Sequence, residues 1–413
     1  LYTNRCGKPV DELWTNLGPE VINISYTGSR SIIHRVIQID FSSISAFLTG
    51  FSTYPQPLRL RLRIFTIFFL YKQTHQAVRK GELSTIMKLV FDKADLVKSV
   101  GIAMKAVSGK TTMPILECIL IDASSNVIKF TSNDMELGIE TIVTGMILER
   151  GIVALDAKIF SEIVRKLPDN QVTIETDENL VTTITCEKAK FNIPGQSGED
   201  FSYLPILETS DCVSISQFTL KELIRQTIFS IAANENNKLM TGELFEIKDN
   251  TLRVVSLDGH RIAIRRIKLK DSYPDRKVVV PGKTLNEISK ILSGEMDDQI
   301  DIYFSENHIM FKFDDTTVVS RLIDGEYFRI DQMLSSDYET KVTINKKEFL
   351  SCIDRATLLV KEGDKKPIII DIQDGAMELQ INSAMGSMKE EIDINKEGKD
   401  IMIGFNPKFL IDA

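Results

Sequence analysis

A chain of 413 residues, 43% hydrophobic and 26% charged, is too long for one ordinary core and has the composition of a folded globular protein of two to four domains. Its net charge of −8 excludes a uniformly basic nucleic-acid-binding surface and leaves only local basic faces open. The widely spaced Cys6, Cys118, Cys186, Cys212 and Cys352 form no CxxC pair, so neither a metal site nor a disulfide framework is expected, and a reducing cytoplasm fits best.

The first 86 residues carry ten Lys+Arg against five Asp+Glu, whereas the rest carry 40 against 53. The front piece holds the only tryptophan, Trp14, and sustains no helical or strand period beyond Leu58–Arg63. Its longest candidate membrane stretch, Ile64 to Tyr71, spans eight residues, under half of what a spanning helix needs, and no signal peptide precedes it. The expectation is that residues 1–86 are an unrelated N-terminal extension and that Met87 is the natural start.

From Met87 a pattern of about 125 residues repeats. MKLVFDKADL reads as a short strand feeding a helix with an acidic first turn at Asp92 and Asp95. NVIKFTSNDMELGIETIV follows with period-two alternation around a polar turn, and IVALDAKIFSEIVRKL then runs from strand into a second helix. The order recurs as QFTLKELIRQTIFSIA, NTLRVVSLDGHRIAIRRI and VVVPGKTLNEISKIL. It recurs again as TINKKEFLSCIDRATLLV, GAMELQINSAMGSMKEEI and IMIGFNPKFLIDA. Lys158, Lys283 and Lys408 are equally spaced, and Phe160, Leu285 and Leu410 repeat at the same step. Further strands close the first two units, while the third stops at Ala413 within its second helix, so its closing strands are expected to be missing.

Each unit thus reads as α+β, with two helices packed on antiparallel sheet. Polar and proline-bearing linkers place the units at 87–207, 212–335 and 340–413, the last incomplete.

The repeat, MPIL at Met113, LDGHRIA at Leu257, VVVPGK at Val278, LIDGEYF at Leu322 and IGFNPKFLIDA at the end resemble, in order and register, the bacterial DNA sliding clamp family, the beta subunits of DNA polymerase III. The resemblance covers Met87 to Ala413 and implies three clamp domains per protomer. It also implies a head-to-tail homodimer closing a six-domain ring around duplex DNA, with helices lining the hole. It implies no catalysis and no cofactor. The implied partners are the replicative polymerase, the clamp loader and repair proteins.

A clamp holds DNA without reading it, so mobile basic side chains should face phosphates. Lys158 with Arg165, and Lys283 with Lys290, lie seven apart on one helical face, opposite Phe160, Ile163 and Leu167 or Leu285, Ile288 and Leu292. The first helices add Lys98, Lys105, Lys221 and Arg225. A charged helix face is usually only solvated, but its recurrence in successive units favours a function. Lys110 stands before MPIL, where the family carries a DNA-touching basic residue.

Asp258 and His260 invite comparison with a catalytic dyad, giving a hydrolase or transferase as the rival reading, beside a β-rich scaffold without nucleic acid. A polar turn between two strands explains Asp258-Gly259 without chemistry. The resemblance implies that this turn lines a hydrophobic groove for short partner peptides. The matching positions are Met240, Leu257, Gly259, His260, Arg261 and Ile262, with Phe328, Gln332 and Met333. Phe328 stands where relatives usually carry proline and Gln332 where many carry arginine, so the rim should differ. A wall normally given by the closing strands is expected to be absent. For the homodimer interface the resemblance points to Phe191 and to Leu358 and Leu359.

Overall fold

The computed structural model describes residues 87–413 except 110, 208–211, 234–236, 335–337 and 361–365. The expectations for residues 1–86 and for Lys110 lie outside the described residues.

Each unit hands a strand to a helix twice. Met87–Asp92 leads into α1 (Lys93–Ala103), and Ile152–Asp156 into α2 (Ala157–Lys166). In the second unit Cys212–Ser216 leads into α3 (Gln217–Arg225), and Ile262–Pro281 into α4 (Gly282–Ile291), with a short α5 (Ile330–Met333) later. In the third, Thr340–Thr343 precedes α6 (Lys346–Thr357) and Ile401–Phe405 precedes α7 (Pro407–Asp412). Local chemistry sets these junctions. The side chains of Asp156, Ser216, Asn345 and Asn406 each accept an amide N–H from the first helical turn, satisfying a donor the helix cannot.

The buried helical faces follow spacings of three and four: Leu96, Val100 and Ala103 on α1, Phe160 and Val164 on α2, Leu220, Leu223 and Ile224 on α3, Leu285 and Ile288 on α4. On α2 the expected Ile163 is only half-buried, because Val164, a full turn beyond Phe160, takes the inner position. Phe130 meets Phe91 and Phe160 edge-to-face at centroid distances of 5.9 and 6.1 Å, tying sheet to helix in the first core.

The three alternating segments form antiparallel hairpins. Ile128–Asn133 pairs with Leu137–Val143, Gly242–Leu257 with Ile262–Pro281, and Ala376–Ser383 with Gly386–Asp393. The first two units share one thirteen-stranded sheet, joined where Thr316–Arg321 pairs with Leu137–Val143 in the register Thr316↔Thr141, Val318↔Ile139 and Ser320↔Leu137. The Thr141 and Thr316 hydroxyls meet at 3.0 Å inside that join. Ala106, Leu137 and Ile139 of the first unit are buried in the core of the second, so the join is packed as well as hydrogen-bonded. The third unit has its own core, around Cys352, Ile353, Ile368 and Leu379, and its own four-stranded sheet.

Candidate DNA face and partner groove

The basic side chains fall into two groups. Lys98, Lys158 and Arg165 are exposed and Lys105 is half-buried; none of the four forms an ion pair among the described residues, and Arg165 donates only to the Ser161 carbonyl, at 3.3 Å. Their counterparts in the second unit are engaged. Lys221 donates to the Leu292 carbonyl at 3.1 Å, at the C-terminal end of α4, where the helix favours a cation. Arg225 grips Glu222 with two bonds of 2.8 and 2.7 Å, which holds the Glu222 carboxyl below its usual range and the Arg225 guanidinium above its own. Lys290 pairs with Glu287 at 2.6 Å, and Lys283 pairs with Asp134 of the first unit. Sequence spacing alone did not separate these groups, because the partners come from a helix turn or from another unit.

The LDGHRIA turn closes the long hairpin of the second unit. Gly259 has φ of +88°, a left-handed conformation that glycine adopts without strain. Asp258 Oδ1 accepts the amides of His260 and Arg261 at 2.9 and 3.1 Å, and its Oδ2 accepts Arg261 Nε at 3.0 Å. The carboxylate is therefore occupied by turn amides and a guanidinium, while the His260 ring lies against Phe409, 5.9 Å between centroids. This is a braced turn rather than an acid–base pair. Arg261 is its anchor: it donates to Asp412 at 2.7 Å and to the Phe229 carbonyl, and its guanidinium covers the Phe409 ring at 4.4 Å and the Phe229 ring at 5.2 Å.

Outward of the hairpin, Leu244, Val255, Leu257, Val279, Tyr327 and Ile330 form a small buried cluster. Of the nine predicted groove residues, Leu257 belongs to it, and Met240, Ile262 and Phe328 pack half-exposed against it. Phe328 and Gln332 line a cavity of about 550 Å³ on one side, while Arg261 and Ile262 line a second of about 460 Å³ beside Phe409. His260 and Gly259 stay exposed at the turn, and Met333 points outward from α5. Leu239 and Tyr327 were not singled out from sequence. Tyr327 lies within the LIDGEYF motif, and its T-shaped contact with Phe328, at 5.6 Å, is what shapes this wall.

The first unit has the corresponding cluster, but there Ile115, Leu116 and Phe201 are themselves buried and fill it. In the second unit, by contrast, Leu239 and Met240 remain half-exposed and leave the cluster uncovered on that side.

Phe191, on the strand Ala189–Ser197, is 39% exposed, and Leu358, just past α6, is 74% exposed. Leu359 turns partly into the third core. No cluster of three or more His, Cys, Asp or Glu side chains able to hold a metal occurs among the described residues, and no helix among them is long and apolar enough to cross a membrane.

What this geometry offers is binding: repeated α+β domains that hold partners by faces and grooves. Residues 87–205, 214–328 and 331–413 match, respectively, the N-terminal, central and C-terminal domains of the DNA polymerase III beta subunit. The beta sliding clamp of Staphylococcus epidermidis is 34% identical over 338 residues, covering 79% of this chain and 89% of the relative. The crystal structure of a DNA polymerase III beta subunit from Eubacterium rectale is 72% identical with a TM-score of 0.77, and the sliding clamp from Bacillus subtilis is 36% identical with a TM-score of 0.76; each match covers 79% of this chain and 89% of the other. The chain belongs to the bacterial sliding clamp family, the beta subunits of DNA polymerase III. It is a processivity factor of DNA replication, not an enzyme, and its partners are DNA and the polymerase.

Proposed function

We propose that two copies of this chain close head to tail into a cytoplasmic ring around duplex DNA, and that the outer groove of the second unit tethers the polymerase, the clamp loader and repair proteins by short peptides. The observation that carries the ring is the strand join inside the chain. Its two halves recur, among the described residues, at strands with a free side: residues 189–194, paired only with Val181–Cys186 before the strand turns to Ile152–Asp156, correspond to Thr316–Arg321, and the edge strand Gly386–Asp393 corresponds to Leu137–Val143. Transferring the register by the hairpin turns sets Phe191 of one copy opposite Met388 of the other, as Val318 stands opposite Ile139. Ala106, in the tight turn Met104–Ala106 that follows α1, crosses the internal join into the next core, and Leu358 and Leu359 follow α6 at the matching place. The exposed Leu358 there calls for a covering partner.

On this reading the inner field rests mainly on Lys98, Lys105, Lys158 and Arg165, with Lys110 beside them in sequence, and Lys221, Arg225, Lys283 and Lys290 contribute less because their charges are locally compensated. The groove reading is supported by the second unit's cluster being open where the first unit's is filled, and by Met240, whose flexible thioether suits varied partners. The sliding clamp from Bartonella birtlesii, 26% identical, is known bound to griselimycin, and the groove here should take that ligand in competition with a polymerase peptide.

Cross-linking tests the ring. In a Cys6→Ser, Cys212→Ser background, mixing Phe191→Cys and Met388→Cys chains under mild oxidation should give a covalent dimer that neither variant gives alone. Cys118, Cys186 and Cys352 are buried and do not compete. Absence of the mixed cross-link, with both variants folded, contradicts this interface.

A further inference from the structure

Glu243 is fully buried, at 0% exposure, and neither carboxyl oxygen has a hydrogen-bond partner of good geometry. It alternates with Phe245 and Ile247 on the strand Gly242–Leu257, so its side chain enters the core of the second unit, and it stands opposite Val280. Of the hydroxyls nearby, three have their protons committed elsewhere, while the buried Ser230 hydroxyl has no partner. The Thr227 hydroxyl, beside the carboxyl, donates to the Leu223 carbonyl at 2.7 Å; Ser256 donates to the Thr227 carbonyl at 2.5 Å; Tyr327 donates to the Val255 carbonyl at 3.4 Å. An ionised carboxylate in this place loses its hydration and has at most the Thr227 and Ser230 hydroxyls to replace it, the first already donating to Leu223. A protonated one supplies the missing donor and can give it to the Thr227 oxygen.

Thr227 opens the turn Ile228–Ser230, and that turn carries the groove. Phe229 offers its carbonyl to Arg261, and the Ala232 amide donates to the Met240 carbonyl at 2.8 Å. Tyr327, on the groove side, feels the carboxyl directly: after burial, the charge of Glu243 is the next cause pushing its phenol up. We propose that Glu243 is a positioning residue of the partner groove, whose neutral form seats the Thr227–Ser230 turn against the strand and so fixes Met240 and Arg261, and whose ionisation releases the turn and weakens partner capture. This rests on the groove reading given above.

Burial, opposed only by Thr227, pushes the Glu243 carboxyl up to about 8. The groups that face it are Thr227 and Ser230 from the turn, Ser256 from its own strand, Val280 opposite and Tyr327 from the loop; the buried residues of α4 are Gly282, Thr284, Leu285 and Ile288. Tyr327 is the one titratable member of this set, and none is cationic.

The test uses the full chain, its Glu243→Gln and Glu243→Met variants, and a fluorescent synthetic peptide bearing the clamp-binding segment of a bacterial replicative polymerase, chosen without Lys or Tyr. Affinity is measured from pH 7.0 to 9.0 at fixed ionic strength, and amide exchange at Ala232 is compared with the Gln variant at each pH. The unmodified chain and the Gln variant should bind alike at pH 7.0, and the Met variant, which has no proton to give Thr227, more weakly. By pH 9.0 the unmodified chain should weaken roughly five- to tenfold, as the neutral fraction falls, while Gln and Met stay flat. Ala232 exchange should rise over the same range only where Glu243 is present. If the unmodified chain and the variants track one another in both measurements, the proposal is overturned. If the unmodified chain binds no peptide at pH 7.0, the groove reading fails, and Ala232 exchange alone decides for or against Glu243. Should the Gln variant not fold, the Met variant serves as the comparison.

Discussion

Lys283 on α4 and Asp134 in the first unit's hairpin turn form an ion pair across the join between the two units. Asp134 is buried there and also accepts the amides of Glu136 and Leu137 at 3.0 and 2.7 Å, so the lysine is held by a carboxylate that cannot swing away. A lysine so held adds little to the field over DNA. Replacing Lys158 and Arg165 by alanine should lower the slope of log affinity against log salt by about 0.9 for each phosphate no longer neutralised. Replacing Lys283 and Lys290 should lower it by clearly less. Salt titrations of the two double variants on the same duplex distinguish these outcomes, and equal slopes would contradict the compensation argument.

Arg261 should behave as a structural link between the second and third units. Arg261→Ala leaves Asp258 and Asp412, both largely buried, without their cation, and should cost about 2 to 4 kcal/mol in urea unfolding. Arg261→Lys should recover little, since an ammonium cannot serve Asp258, Asp412 and a carbonyl while covering two rings. Full rescue by lysine would show that charge alone matters.

Glu243 makes stability itself depend on pH. Its folded-state value of about 8 lies above the ordinary 4.5, so between those values the folded chain binds more protons than the unfolded one. Stability from this group therefore falls as pH rises through that window and levels off above about 8. Glu243→Gln removes the loss. Its melting temperature should exceed that of the unmodified chain by several degrees at pH 8 and match it near pH 5; a gap independent of pH counts against an ionising Glu243.

Replacing Leu358 and Leu359 together by serine should give monomers in sedimentation at concentrations where the unmodified chain dimerises. Leu358 is exposed and Leu359 is only partly packed on the third core, so Leu358→Ser alone should keep near-native circular dichroism and the double variant should lose a modest part of its stability beside the change of mass.

Much of this architecture could be read locally. The helix starts at Asp156, Ser216, Asn345 and Asn406 are capping residues at strand ends, and the three hairpins are alternating segments around polar turns. Met240, Leu257, Ile262 and Phe328 lie in or against one apolar cluster, a proximity that their scattered sequence positions show only through motifs. What could not be read was contact between distant segments. Arg261 reads from sequence as one of the groove positions until Phe229, Phe409 and Asp412 close on it, and Lys283 looks free until Asp134 arrives from another unit. Glu243 did leave a signal: a carboxylate in period-two register with Phe245 and Ile247 is a polar residue at an inward position.

On the ring reading the protein holds DNA by enclosing it. The most direct measurement is retention of the loaded protein on closed circular DNA against the same DNA made linear, at a salt concentration that suppresses simple phosphate binding. Enclosure predicts long retention on the circle and rapid loss from the linear form, by sliding off the ends. Equal retention on both would contradict the clamp account, whatever the variants show.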